Sequence, residues 1–209
     1  MPKSFNPQDK FFKKAKDEGY RARSIFKLEE IQRRFHLIKV GDRVLDLGAA
    51  PGSFMQYIQK LIGDKGFVVG IDLKEIKPFK KPNVKSYVGD IFDEPIYERI
   101  AKDLDLSASV EMTNPLQFDV ITSDLAPATT GIKSVDAGRS FQLNEQVLKV
   151  TEKHLKLGGH VVMKAFPGAD HSQLLALAKK QFKQVKLFKP EAVRESSREV
   201  YVIGLTRML

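Results

Sequence analysis

The chain has 209 residues, of which 42% are hydrophobic, enough apolar material for one packed core. It contains no cysteine, which excludes disulfide bonds and cysteine-ligated metal sites. No apolar run is long enough to cross a bilayer, and MPKSFNPQDK lacks the apolar core of a signal peptide, so we expect a cytoplasmic protein without membrane contact. We also expect it to be a monomer. The net charge of +9 favours a polyanionic partner such as nucleic acid, although a soluble protein can also simply be basic.

The N-terminal part of the chain is basic and helical in pattern. Residues 3–39 are rich in lysine and arginine, with aromatic residues interleaved among them. Basic side chains can meet phosphates and exposed aromatics can stack on bases, but most of these aromatics are expected to be core contacts. Helices are predicted over residues 8–18 and 24–35, the second with Ser24 as N-cap. We therefore expect a basic helical extension, residues 1–36, that packs on a domain formed by residues 37–209.

The remainder alternates between strands and helices. Strands are predicted over residues 44–50, 66–73, 84–90, 118–127, 158–166, 185–190 and 199–207, helices over 53–62, 93–104, 138–157 and 170–182, and a surface loop over 105–117. This alternation predicts an α/β fold with a mostly parallel seven-stranded sheet and helices on both faces. The last two strands are joined by a short loop, so one strand should run antiparallel.

Charged residues stand where several of these strands end. They are Asp46, Asp72, Asp90, Asp124 and Lys164. Ligands of such sheets bind beyond the carboxyl ends of the strands. The spacing therefore predicts a ligand site at this edge of the sheet.

A glycine-rich turn follows the first strand in VLDLGAAPGSF, residues 44–54. Gly48 and Gly52 allow the backbone to approach a ligand closely, and the next helix offers free N–H groups. The dinucleotide fingerprint G-x-G-x-x-G fails, because Ala50 and Ser53 replace its other glycines.

Two acids after the next strands suit a nucleoside. Asp72 ends the second strand, where a carboxylate can accept both hydroxyls of a ribose. Asp90 ends the third strand, where a carboxylate can bind the amine of an adenine. The alternative is that both acids only cap helices.

Lys164 closes an apolar run in the fifth strand. Val161, Val162 and Met163 are typical of a strand buried on both faces. An ammonium group is rarely buried without a partner. The lysine is therefore a candidate functional residue.

Several ordered motifs resemble the FtsJ family of S-adenosylmethionine-dependent RNA 2′-O-ribose methyltransferases. The motifs are VLDLGAAPGSF, GIDL, GDI, SDLAP, GGHVVMKAF and SSREVYVI, and the resemblance runs from about Arg21 to the C-terminus. It implies a Rossmann-like class I methyltransferase fold. The implied S-adenosylmethionine site comprises Gly48, Pro51, Gly52, Ser53, Phe54, Asp72, Leu73, Asp90, Ile91 and Asp124.

Two stretches depart from the family pattern. Gly52-Ser53-Phe54 stands in place of G-G-W, and residues 128–131 read ATTG in place of N-x-S-G. The phenylalanine keeps an apolar ring but lacks the indole N–H donor of tryptophan.

The resemblance also implies a catalytic tetrad of Lys27, Asp124, Lys164 and Glu199, with no metal. In our hypothesis Lys164 accepts the proton of the 2′-hydroxyl, Asp124 orients it, and Lys27 and Glu199 position the hydroxyl. An amine accepts a proton only when neutral, which burial and a nearby cation favour and a nearby carboxylate opposes. A structural ion-pair network is the alternative.

Within the family the compact chain looks most like the bacterial large-subunit ribosomal RNA enzyme, which implies a uridine ribose of 23S rRNA as the target. A tRNA anticodon-loop methyltransferase is the closest rival. A catalytically inactive RNA-binding factor of ribosome assembly is the alternative from another functional class. The basic N-terminal part of the chain disfavours a small-molecule substrate.

Overall fold

A computed structural model describes residues 10–104, 116–194 and 196–209. The helices are α1 (Lys10–Asp17), α2 (Ile25–Phe35), α3 (Ser53–Ile62), α4 (Glu94–Asp103), α5 (Lys133–His154) and α6 (His171–Gln181). The strands are β1 (Arg43–Leu47), β2 (Phe67–Asp72), β3 (Val84–Val88), β4 (Phe118–Ser123), β5 (Leu155–Ala165), β6 (Phe182–Phe188) and β7 (Val200–Arg207). Most of the predicted loop 105–117 lies outside the described residues. No helix in the described ranges is long and apolar enough to span a membrane.

The described strands form one sheet in the order β3-β2-β1-β4-β5-β7-β6. Strand β7 runs antiparallel to both of its neighbours, and the other pairs are parallel. The predicted α/β fold with one antiparallel strand is confirmed. The chain moves outward from β1 to β3 and then crosses back to β4, so the sheet has its switch point between β1 and β4.

Alternating side chains of the strands divide the core into two layers. Val44, Val120 and Val162 lie on the face covered by α2 and α3. Their neighbours Leu45 and Val161 lie on the opposite face with α4, α5 and α6. This alternation follows from the two-residue period of a strand, and it decides which helix covers each polar residue near the strand ends.

Both predicted boundaries of α5 were wrong. Helix α5 begins at Lys133 rather than 138, because the Asp136 carboxylate accepts hydrogen bonds from the Thr130 and Gly131 N–H groups and stabilises the turn that leads into it. The same helix ends at His154 rather than 157. Strand β5 already begins at Leu155, which pairs with β4 before an irregularity in the register. The remaining boundaries shift by a few residues.

Candidate active site

The four predicted catalytic residues come from four different elements. Lys164 is the penultimate residue of β5, Asp124 directly follows β4, and Glu199 directly precedes β7. Because β7 is antiparallel to β5, its start lies beside the end of β5, where Lys164 faces Tyr201 in the register. Lys27 lies in the first turn of α2, on the layer that covers this face of the sheet.

The structure joins these residues in two ion pairs. Lys164 Nζ lies 3.1 Å from Asp124 Oδ1 and 2.5 Å from the Asp124 backbone oxygen. Lys27 Nζ pairs with Glu199 Oε1. Lys164 is only 7% exposed, and Glu199 is 8% exposed. The lysine that closes the apolar run is therefore buried with a carboxylate partner, as burial of a charge requires.

Tyr201 is a member of this cluster that sequence reasoning missed. Its ring is fully buried, and its hydroxyl donates a hydrogen bond to Asp124 Oδ1 at 2.7 Å. Burial first, and then the carboxylates of Asp124 and Glu199, raise the pKa of Tyr201 well above its ordinary value. The phenol therefore stays a neutral donor. Its signal was present, because Tyr201 stands two residues after Glu199 in the strand predicted over residues 199–207, and a buried phenol needs a partner.

The Asp124 carboxylate is the electrostatic centre of the cluster. Burial alone would raise its pKa, but the ammonium groups of Lys164 and Lys27 and the Tyr201 hydroxyl outweigh burial, so the pKa of Asp124 lies below its usual value. The carboxylate is ionised at neutral pH. It can therefore fix the position of the Lys164 side chain.

Neighbouring side chains pack closely against the glycine-rich turn, as its glycines predict. Gly48 and Gly52 have φ values of 72° and 99°, in the region that favours glycine. A Cβ atom on Gly48 would lie 2.8 Å from Leu125 Cδ2, and one on Gly52 would lie 2.7 Å from Arg21 Nη1. The backbone between β1 and α3 thus needs both glycines.

The two acids predicted to bind a nucleoside are held by backbone N–H groups of loops. Asp72 Oδ2 accepts from Ala50 N at 2.9 Å, and its Oδ1 accepts from Lys74 N at 2.8 Å. Asp90 Oδ1 accepts from Phe92 N at 3.1 Å. Neither carboxylate caps a helix, and each oxygen keeps lone-pair capacity for a ligand.

The other predicted cofactor positions are placed differently. Phe54 is 2% exposed and packs in the core, and Ile91 is also buried, whereas Leu73 is 70% exposed. Pro51 is exposed on the turn. The Ser53 hydroxyl forms a 2.7 Å hydrogen bond with the hydroxyl at the start of α2, that of Ser24.

This hydrogen bond shows that the Ser24 side chain does not cap α2 as expected. Ser24 occupies the N-cap position of α2, but its side chain caps no N–H group. Its hydroxyl instead connects α2 to α3 beside the glycine-rich turn.

Asp46 lies fully buried beneath the site. Its Oδ1 accepts the Thr122 hydroxyl at 2.7 Å, and its Oδ2 has no hydrogen-bond partner among the described residues. Burial raises the pKa of Asp46 to about 8 against the effect of the Thr122 bond, and the charges of Asp124 and Asp72 add to the rise. A protonated Asp46 places no second negative charge beside Asp124 at neutral pH.

The described residues contain no group of three or more His, Asp or Glu side chains arranged to hold a metal ion. The cluster offers a buried amine, a fixed carboxylate and a second ion pair at the edge of the sheet where ligands bind. These groups can orient a hydroxyl and take its proton.

Comparison with known proteins identifies the family. Residues 20–207 match the family model described as FtsJ-like methyltransferase. The chain belongs to the FtsJ-like methyltransferase family. The match spans every described strand and both ion pairs.

Named relatives agree with this family, and solved structures share the fold. The chain is 44% identical to the ribosomal RNA large subunit methyltransferase E of Syntrophobacter fumaroxidans over 97% of each chain. It is 43% identical to the protein of that name from Desulforapulum autotrophicum, over 98% of this chain and 95% of the relative. A structure described as a ribosomal RNA methyltransferase from Plasmodium falciparum has a TM-score of 0.76 at 26% identity, covering 90% of this chain and 98% of that one. The Aeropyrum pernix fibrillarin, solved with S-adenosyl-L-methionine, shares the fold at a TM-score of 0.52 and 16% identity, over 81% and 68% of the two chains.

Proposed function

We propose that this FtsJ-like methyltransferase transfers a methyl group from S-adenosylmethionine to a ribose 2′-hydroxyl of RNA, with a uridine of 23S ribosomal RNA as its target. Relatives named ribosomal RNA large subunit methyltransferase E, which match nearly the whole chain, support the ribosomal substrate. A ribosomal target is consistent with a cytoplasmic protein. The observation that carries the chemistry is the buried Lys164–Asp124 pair at the carboxyl ends of the central strands.

The residues at the glycine-rich turn fit S-adenosylmethionine. Gly48 and Gly52 keep the backbone of the turn free of side chains, and the close packing of Leu125 and Arg21 against these two positions admits no larger residue. Asp72 retains lone pairs for the ribose hydroxyls of the cofactor, and Asp90 for the adenine amine. When bound, the cofactor supplies a methyl group on a sulfonium sulfur, which keeps the electron pair of the broken C–S bond.

The protein must orient the acceptor hydroxyl and remove its proton. The 2′-oxygen forms the new C–O bond, and its proton passes to the Lys164 side chain, which accepts it only after its own ammonium proton has left to solvent. Asp124 holds that amine in place and is itself held by Tyr201. The Lys27–Glu199 pair lies beside this unit and positions the hydroxyl. These roles are our proposal for the cluster.

Methyl transfer to three RNAs tests the substrate. Purified large ribosomal subunits, free 23S rRNA and tRNA are each incubated with the enzyme and labelled S-adenosylmethionine. A methylated 2′-oxygen cannot attack the neighbouring phosphodiester, so alkaline hydrolysis leaves a labelled dinucleotide at the modified position. We expect the label at one uridine of 23S rRNA or of the subunit.

Label in an anticodon-loop nucleotide of tRNA alone would replace the ribosomal substrate with its closest rival. Binding of subunits without any methyl transfer would replace the enzyme with an assembly factor. A labelled base that yields no alkali-resistant dinucleotide would overturn the 2′-hydroxyl as acceptor.

A further inference from the structure

Arg21 lies in the chain between α1 and α2, and its side chain reaches the glycine-rich turn. Its Nη1 donates to the Pro51 backbone oxygen at 3.1 Å, and its Nη2 donates to the Pro78 backbone oxygen at 3.2 Å. Pro51 belongs to the turn between β1 and α3, whereas Pro78 belongs to the segment between β2 and β3. One guanidinium group therefore joins the loops that follow two neighbouring strands.

Packing holds this guanidinium group in addition to its hydrogen bonds. Arg21 Cζ lies 3.9 Å from the centroid of the Phe79 ring, which is the next residue after Pro78. A Cβ atom on Gly52 would lie 2.7 Å from Arg21 Nη1 and 3.0 Å from Phe79 Cζ. A guanidinium group can stack on an aromatic face while its N–H groups donate within its own plane. The glycine at position 52 thus leaves the room that Arg21 and Phe79 occupy beside the turn.

The backbone at Arg21 is anchored to α3. Gln56 Oε1 accepts a hydrogen bond from Arg21 N at 2.7 Å, and Gln56 Nε2 donates to the Gly19 backbone oxygen at 3.2 Å. Gln56 belongs to the helix that begins directly after the glycine-rich turn. The Arg21 side chain therefore starts from a fixed point, which reduces the entropy lost when a long side chain is ordered.

Asp72 connects the same two loops with the opposite hydrogen-bonding polarity. Its carboxylate accepts from Ala50 N in the turn and from Lys74 N in the segment after β2. Arg21 donates to carbonyl oxygens of the same two loops. One acceptor and one donor thus hold this pair of loops together at two places. A shift of one loop relative to the other would move an N–H group that fixes the Asp72 carboxylate.

We propose that Arg21 is a positioning residue for the cofactor, an inference that rests on the proposed function. It holds the glycine-rich turn against the segment after β2 and so keeps the Asp72 carboxylate where it can accept the hydroxyls of the cofactor ribose. This role requires no contact between Arg21 and the transferred methyl group or the RNA. Loss of Arg21 should therefore weaken cofactor binding and leave the chemical step unchanged.

Arg21→Gln is the test variant, because it removes the pair of guanidinium donors that joins the two loops. Arg207→Gln is the matched control. Arg207 also donates from two guanidinium nitrogens to two backbone oxygens, those of Leu155 at 2.5 Å and Glu152 at 2.7 Å. It ends β7 at the edge of the sheet opposite to the proposed cofactor site. A general loss of stability would therefore affect both variants.

Calorimetry measures the effect on cofactor binding. We expect the Kd for S-adenosylmethionine to rise roughly three- to thirty-fold in Arg21→Gln, as is typical of residues coupled in one hydrogen-bond network, and to be unchanged in Arg207→Gln. In methyl transfer, KM for the cofactor should rise by a similar factor, with kcat and KM for RNA within a few-fold of the wild type. Arg21→Lys keeps the charge but lacks the planar pair of donors, so it should recover only part of the affinity.

A double-mutant cycle with Asp72→Ala tests whether Arg21 acts through Asp72. In that case Asp72→Ala should weaken cofactor binding less in the Arg21→Gln background than in the wild type. Additive losses of affinity would overturn the proposed action of Arg21 on Asp72.

An unchanged Kd in Arg21→Gln, or an equal rise in Arg207→Gln, would also overturn the proposal. Urea unfolding shows whether each variant is folded, and if Arg21→Gln is not, Arg21→Lys compared with Arg207→Lys decides by the same criterion. A wild type that binds the cofactor but methylates no RNA would refute the proposed function alone, and calorimetry would still decide the role of Arg21. A wild type that binds no S-adenosylmethionine would refute both.

Discussion

Replacing Tyr201 with phenylalanine removes one hydroxyl from the centre of the site. The ring remains, so the substitution leaves no cavity of appreciable size. What is lost is the 2.7 Å hydrogen bond from the phenol to Asp124 Oδ1. Among the residues that the structure describes, Asp124 Oδ1 then keeps the Lys164 ammonium as its partner.

The magnitude follows from burial. Tyr201 is fully buried, so water cannot readily replace its hydroxyl. A hydrogen bond to a charged group contributes about 1.5–3 kcal/mol, and we expect the free energy of unfolding at pH 7 to fall by that amount. Because the pKa of Asp124 is lowered in the folded state, its stabilising effect is present above the ordinary carboxyl pKa and is lost as the pH falls through the lowered value. The difference between wild type and Tyr201→Phe should therefore shrink below about pH 4.

Tyr97→Phe is the matched control. Its hydroxyl is also buried but donates to a neutral acceptor, the Ile91 backbone oxygen, at 3.0 Å. That loss should be about 0.5–1.5 kcal/mol and should not change with pH in the same way. Urea unfolding of the three proteins at pH 7 and at two lower pH values gives the comparison. The proposal that the Tyr201 hydroxyl stabilises the Asp124 carboxylate would be refuted in either of two cases. In the first, Tyr201→Phe lowers the free energy of unfolding no more than Tyr97→Phe does; in the second, its effect on that free energy is constant with pH.

Two further predictions concern the acids at the edge of the sheet. The pKa of Asp46 is raised to about 8, so the wild type loses stability as the pH rises from about 4 to 8. In urea unfolding, the free energy of unfolding of Asp46→Asn should therefore increase by about 4 kcal/mol relative to the wild type between pH 5 and pH 8. An increase equal to that of the Asp17→Asn control, at an exposed position, would contradict this. Asp72→Ala should weaken S-adenosylmethionine binding in calorimetry by about 1.5–3 kcal/mol for each ribose hydrogen bond lost, and an unchanged affinity would remove Asp72 from the site.

The sequence was sufficient for the sheet and for the edge at which its polar residues meet. Strand periodicity and the alternation with helices are local signals, and the carboxyl ends of parallel strands necessarily share one edge. Lys164 was recognisable because its apolar neighbours in the run required burial. The start of α5 was not, because it depends on the Asp136 side chain holding the preceding turn rather than on apolar periodicity.

The hypothesis from the sequence joined Asp124 to Lys164, but it did not predict that Lys27 pairs with Glu199. Which lysine meets which carboxylate depends on the antiparallel register of β7 against β5 and on the position of α2 above them. The Ser24 hydroxyl shows the same dependence, since a residue with the local pattern of a cap bonds a distant serine instead. Such contacts are set by tertiary packing, on which a local pattern carries no information.

Proton removal by Lys164 is tested most directly by single-turnover methyl transfer with saturating RNA and cofactor. Under these conditions differences in binding do not affect the measured rate. The wild type is compared with Lys164→Ala and Lys164→Arg. Arginine keeps the positive charge beside Asp124 but stays protonated at any usable pH and accepts no proton. We expect both variants to bind cofactor and both to be nearly inactive. A Lys164→Arg enzyme that retains much of the wild-type rate would contradict the assignment of Lys164 as the base.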